Sequence, residues 1–148
     1  MDTSEERKKE LLEAFRVADL LVGYSPMIGE PDYHGFLKDS AIHTKGLSVI
    51  ADKNISPADF AESLLGAHKA EKVCILIPGK AFDRYGTRHG RGAGWYDRFL
   101  STVPRPWLRV GVCDIAELSP NTLERKAWDE PVDYLLIRKD IEWEVLKI

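Results

Sequence analysis

A chain of 148 residues that is 44% apolar and 30% charged is long enough to bury a core and too apolar to remain disordered. Its net charge of -3 argues against a general nucleic-acid binder, which carries a net basic face. Residues 2–13 are highly charged, so neither a signal peptide nor a membrane span is expected there. Cys74 and Cys113 sit in apolar runs and read as small buried hydrophobes, which makes a reducing cytoplasm the expected compartment.

In chain order, Thr3-Ser4-Glu5-Glu6 reads as a helix start with acids in the first turn. Leu11, Leu12, Phe15, Ala18 and Leu21 then recur at helical spacing. The apolar run Leu20-Leu21-Val22-Gly23-Tyr24 fits a first strand that Ser25-Pro26 ends, and Pro31 is expected to open a short helix over 31–38. A second strand is expected over 47–51. Ser56 as N-cap, Pro57 at the first position and Asp59 at the third predict a helix whose apolar face is Phe60, Leu64, Leu65 and Ala67. Val73-Cys74-Ile75-Leu76-Ile77 is apolar on both faces, as in the middle of a parallel sheet covered by helices. A polar, glycine-rich connection follows over 78–91, then a helix over 94–101, a strand over 108–113 and a last clear strand over 133–137. Residues 142–148 fit either type. This alternation predicts one α/β domain over 1–148 with a mostly parallel sheet.

The segment 82–98 carries the chemistry. Gly90, Gly92 and Gly94 are spaced by two, between a buried strand and a helix. There they permit positive φ and close backbone approach, and free N–H groups at a helix start favour an anion. Lys80, Arg84, Arg88, Arg91 and Arg98 outnumber Asp83 and Asp97 in a chain that is acidic overall. Crowded cations repel one another, and guanidinium groups suit phosphate. The expectation is a loop that binds phosphate or nucleotide beyond the carboxyl end of the central strand. It is neither a Walker loop nor a dinucleotide fingerprint, because no Gly-Lys-Ser/Thr follows and the glycine spacing differs. Asp83 is expected to order the turn by accepting local backbone N–H groups. Trp107, Trp128 and Trp143 read as packing residues.

The residues Pro78-Gly79, Ala81-Phe82-Asp83, Gly86, Arg88, Gly90, Gly92, Gly94, Tyr96-Asp97-Arg98 and Leu100 resemble the signature of the 5-formyltetrahydrofolate cyclo-ligase family. Trp128-Asp129-Glu130-Pro131-Val132-Asp133 resembles its second conserved stretch, and Tyr24, Ser25-Pro26 and Glu30-Pro31-Asp32 look like its first strand and the acidic turn after it. The resemblance implies a three-layer α/β/α fold similar to ribose-phosphate isomerases and CoA transferases. It also implies cyclisation of 5-formyltetrahydrofolate to 5,10-methenyltetrahydrofolate with ATP as substrate and Mg2+ as cofactor. Reduced folate and nucleotide would then be the partners, with no nucleic acid and no membrane. Carried over by position, Arg88, Tyr96 and Asp97 would be catalytic, and Asp97 would hold the metal. Arg84, Gly90, Arg91, Gly92, Ala93, Gly94 and Trp95 would bind the nucleotide, and Glu30 and Tyr96 the folate. The alternative expectation is a catalytically reduced relative that keeps phosphate or nucleotide binding.

Overall fold

The computed structural model describes residues 3–42, 47–50, 54–68, 71–90 and 94–148. Its helices are α1 (Ser4–Val17), α2 (His34–Asp39), α3 (Pro57–His68) and α4 (Trp95–Thr102). The strands are β1 (Leu20–Tyr24), β2 (Leu47–Ile50), β3 (Val73–Ile77), β4 (Ala81–Phe82), β5 (Arg88–His89), β6 (Leu108–Asp114), β7 (Tyr134–Lys139) and β8 (Glu142–Lys147).

Six strands form one sheet in the order β2-β1-β3-β6-β7-β8. All neighbours run parallel except β7 and β8, so the ambiguous C-terminal stretch is an antiparallel edge strand. Strand alternation assigns side chains to two cores. Val73, Ile75 and Ile77 join Ala61 and Leu64 of α3 and Trp95, Phe99 and Leu100 of α4. Cys74 and Leu76 join Leu11 and Phe15 of α1 and Phe36 and Leu37 of α2. The result is the expected layered α/β/α arrangement. From β1 the chain steps outward to β2, then returns to β3 and proceeds the other way through β6 and β7. The β1/β3 border is therefore a topological switch point, and the connections leaving the carboxyl ends of those two strands diverge around a crevice.

Local chemistry sets the helix starts. Thr3 and Glu6 form a reciprocal capping box on α1. Ser56 Oγ accepts from Asp59 N at 3.0 Å, as its N-cap pattern predicts. Pro31 does not open α2, which begins three residues later than expected. The Tyr24 hydroxyl instead donates to Pro31 O at 2.9 Å and the Tyr33 hydroxyl to Tyr24 O at 2.6 Å, which pins the chain before it can wind. On α3, Ala61 is buried where Ala67 was expected; Ala67 is exposed. Ala51 lies outside the described residues. Cys74 and Cys113 are buried, and burial pushes both thiols up to about 12, so neither is a reactive thiolate. Among the described residues, no helix is long and apolar enough to cross a membrane.

Candidate active site

The connection after β3 is not a loose loop. β4 and β5 pair as a short antiparallel hairpin, with Ala81 opposite His89 and Phe82 opposite Arg88. Asp83 ties its turn together. It is 1% exposed and accepts from Tyr85 N at 2.9 Å, Thr87 N at 3.0 Å and Leu123 N at 2.8 Å. Burial alone would raise its carboxyl pKa, but these donors outweigh burial and hold it below the usual carboxylate range. Gly86 completes the turn at φ 86°, where a side chain would meet Val132 O at 2.8 Å.

Because Asp83 titrates low in the folded chain, its stabilisation is complete above the unfolded-state value of about 3.9 and disappears as pH falls through the depressed folded value. Asp83→Asn, which turns an amide toward one of the three donors, is expected to cost about 2–3 kcal/mol. Urea denaturation across pH should show that difference fully at neutrality and shrinking below about pH 4.

Segment 119–133 straps the hairpin from outside. Ser119 N donates to Phe82 O at 2.7 Å, Val132 N to Gly86 O at 3.0 Å, and His89 Nε2 donates to Glu124 O at 2.7 Å. Arg125 donates from Nε to Thr87 Oγ1 at 3.0 Å and from Nη2 to Tyr85 O at 2.7 Å. His89 is thus a clamp, and its carbonyl contact fixes Nε2 as the protonated nitrogen.

This scaffold presents Arg88 inward. It is 7% exposed, and its Nε donates to Pro78 O at 2.6 Å. Its guanidinium lies 4.9 Å from the Tyr96 ring centroid. A Cβ on Gly90 would come within 2.9 Å of Nη2, so any side chain there would push the guanidinium aside. No carboxylate among the described residues pairs with Arg88 within 4.0 Å. Burial lowers its pKa, while the fields of Asp97, Tyr96, Glu30 and Asp129 raise it, so it feels all four groups. Burial also pushes the Tyr96 hydroxyl well above its usual range, so it stays protonated at neutral pH.

From the other side of the switch point, the turn after β1 brings Glu30. Gly29 at φ 89° bends this turn, and Glu30 accepts Met27 N at 2.8 Å. Glu30, Tyr96 and Asp97 therefore all lie within electrostatic reach of Arg88. Gly94 at φ 68° is the N-cap of α4, and no side chain among the described residues caps that helix. Its first-turn amides face the start of the helix, where the dipole favours anions. Asp97 accepts Glu130 N at 3.0 Å on Oδ1.

Several expected ligands lie elsewhere. Arg84 points away from Arg88, because the Asp83–Gly86 turn reverses the chain. It lines a groove of about 150 Å³ with Ser4, Arg7, Ile115, Leu118 and Glu144. Trp95 is 6% exposed in the core, and its Nε1 donates to Ile55 O at 3.0 Å, so its ring cannot flank a base. Gly90 does not take positive φ; its role is close approach to Arg88. Lys80 and Arg98 are exposed. Arg91, Gly92 and Ala93 lie outside the described residues. The α1 cations turn elsewhere: Arg7 Nε donates to Val145 O, and Lys8 lies over the Phe36 ring. Of the three packing tryptophans, Trp107 is buried, whereas Trp128 is 67% exposed.

The strap was missed from sequence, although one signal pointed to it. Arg109 interrupts the apolar strand β6, is 1% exposed, and pairs through Nη1 with Glu130 Oε2 at 2.8 Å. A charge in a buried strand needs such a partner.

This architecture has known counterparts. A 5,10-methenyltetrahydrofolate synthetase from Mycoplasma pneumoniae superposes with a TM-score of 0.55 at 19% identity, covering 90% of this chain and 82% of that one. The 5,10-methenyltetrahydrofolate synthetase of Aquifex aeolicus gives 0.57 at 24% identity, covering 99% and 84%. Among curated proteins, a 5-formyltetrahydrofolate cyclo-ligase from Mycoplasma genitalium is 32% identical over 63 residues, which is 43% of this chain and 37% of that protein. A probable 5-formyltetrahydrofolate cyclo-ligase from Caenorhabditis elegans is 64% identical over 28 residues, 19% of this chain and 14% of that protein. The chain's matches thus span less than two fifths of either curated relative. The sequence model of the 5-formyltetrahydrofolate cyclo-ligase family, however, matches residues 7–137, and by that match the chain belongs to this family.

Proposed function

We propose that this chain cyclises 5-formyltetrahydrofolate to 5,10-methenyltetrahydrofolate in the cytoplasm, consuming ATP with Mg2+. The observation that carries this reading is Arg88, a buried guanidinium without a carboxylate partner among the described residues, beside the N-terminus of α4. A desolvated cation in that position is most stable with an anion against it. In the proposed reaction the formyl oxygen attacks the γ-phosphorus and ADP leaves. N10 of the folate then attacks the activated carbon and gives up its proton, and the C–O bond breaks to release inorganic phosphate, which can carry that proton. Arg88 and the first-turn amides of α4 hold the transferred phosphoryl group and the charge that develops on it. Glu30 faces the folate, and protonated Tyr96 supports Arg88 from below.

Asp97 fits magnesium in a limited way. One carboxylate oxygen accepts Glu130 N, and no group of three or more acidic, histidine or cysteine ligands is assembled among the described residues. That donor set suits an ion that arrives on nucleotide phosphates and keeps most of its water. When bound, magnesium neutralises phosphate charge.

Purified chain mixed with 5-formyltetrahydrofolate, ATP and Mg2+ is expected to develop the near-ultraviolet absorbance of the methenyl product. No signal at high enzyme concentration would refute the activity. A second reading, a nucleotide- or phosphate-binding relative with reduced catalysis, draws on the burial of Trp95, which removes one expected nucleotide contact. Calorimetry showing nucleotide affinity without turnover would favour it.

A further inference from the structure

Glu130 works at both ends of α4. Its backbone N–H donates to Asp97 Oδ1 in the first turn at 3.0 Å. Its carboxylate holds Arg109 Nη1 at 2.8 Å, and Arg109 Nη2 in turn donates to Leu100 O at 2.9 Å, near the helix's carboxyl end. A cation there also has the favourable sign for the helix dipole. The backbone N of Arg109 donates to Asp133 Oδ2 at 2.9 Å, which fixes the far side of the same segment. A buried guanidinium thus ties β6, α4 and the strap into one unit, with Glu130 as the junction.

We propose that Glu130 is a positioning residue: it sets where Asp97 and the first-turn amides of α4 point, and acts on the ligand only through them. This rests on reading that end of α4 as the phosphate site. The carboxylate is needed for its charge as well as its hydrogen bond, because Arg109 is 1% exposed and its charge requires compensation where water cannot reach. A shift of Glu130 moves its own N–H, and with it the carboxylate of Asp97.

The test uses the full chain and two readouts. Glu130→Gln is expected to weaken Mg2+·ATP binding about tenfold by calorimetry, the scale of losing an outer partner of a ligand side chain. Amide exchange over residues 95–98 is expected to accelerate at least about tenfold, with β3 amides unchanged. If Glu130→Gln folds poorly, the double variant Arg109→Met/Glu130→Met removes both charges at similar volume and should show the same binding loss. Arg105→Ala breaks the exposed ion pair to Asp133 on the same segment and should change neither readout. In an Asp97→Ala background, Glu130→Gln should weaken binding less than it does in the wild-type chain, because only the amide route remains. An additive loss there, or wild-type exchange and binding in Glu130→Gln, would overturn the proposal. Wild-type chain that binds no Mg2+·ATP would refute the phosphate site itself, and the exchange readout would still decide the positioning role.

Discussion

Arg88→Ala is expected to lower kcat/KM for ATP by about a hundred- to ten-thousandfold, or about 3–5 kcal/mol of transition-state stabilisation. The size follows from where the side chain sits. An exposed cation such as Arg98 works in water and is screened, so its loss costs little. Arg88 is 7% exposed and stacked over Tyr96, so under the proposed function its field would reach a bound phosphoryl group at low dielectric. Arg88→Lys should recover only a small part of the activity. An ammonium cannot donate to Pro78 O from the Nε position while presenting two further nitrogens as a planar fork. Thermal stability should change far less than activity, because removing a desolvated charge offsets the lost hydrogen bond. Steady-state kinetics with ATP varied, paired with thermal denaturation, would separate the two. Near-wild-type turnover in Arg88→Ala would remove Arg88 from the mechanism.

The second large effect concerns the base of the hairpin. Phe82 is fully buried, and its ring covers Gly111 of β6: a Cβ on Gly111 would lie 2.5 Å from the ring and 2.9 Å from Leu135. Another Cβ, on Gly79, would lie 2.9 Å from the same ring. Phe82→Ala is expected to cost about 3–5 kcal/mol, the usual range for a buried aromatic truncated in place. Gly111→Ala should cost about 1–3 kcal/mol by overpacking, since a fully buried ring has little room to yield. The two changes should not add. A methyl at 111 partly fills the space that Phe82→Ala vacates, so the double variant should be more stable than the sum by about 1 kcal/mol or more. Urea midpoints of the four proteins measure this. Simple additivity would show that the ring and Gly111 are not in mutual contact. Activity should fall in Phe82→Ala beyond the stability loss, because Arg88 pairs directly with Phe82 across the hairpin.

Much of the scaffold could be read from local pattern. The double-faced apolar run of β3 and the Ser56-Pro57 start of α3 depend on neighbours in sequence, and each appears where its chemistry places it. The cluster of Glu30, Arg88, Tyr96 and Asp97 was visible as residue types. The division of labour among the arginines was not. Arg84 and Arg88 are equally basic on paper, and only the Asp83–Gly86 reversal sends one toward the α1 groove and the other under Gly90. Trp95 and Tyr96 are adjacent, yet the phase of α4 decides that Trp95 packs against Phe60 and Phe99 while Tyr96 meets Arg88. The strap depends on contacts about 40 residues apart, such as Leu123 N to Asp83 and Arg125 to Tyr85, which no local periodicity encodes.

In the proposed function, anionic phosphate is held between Arg88 and the start of α4. Backbone amide shifts recorded while titrating Mg2+·ATP into the labelled chain test it most directly. Perturbations should concentrate at residues 88–90, 94–98 and 129–130, and the same titration into Arg88→Ala should lose them. Shifts that instead gather around Arg84 and Arg7, or that persist unchanged in Arg88→Ala, would contradict the account.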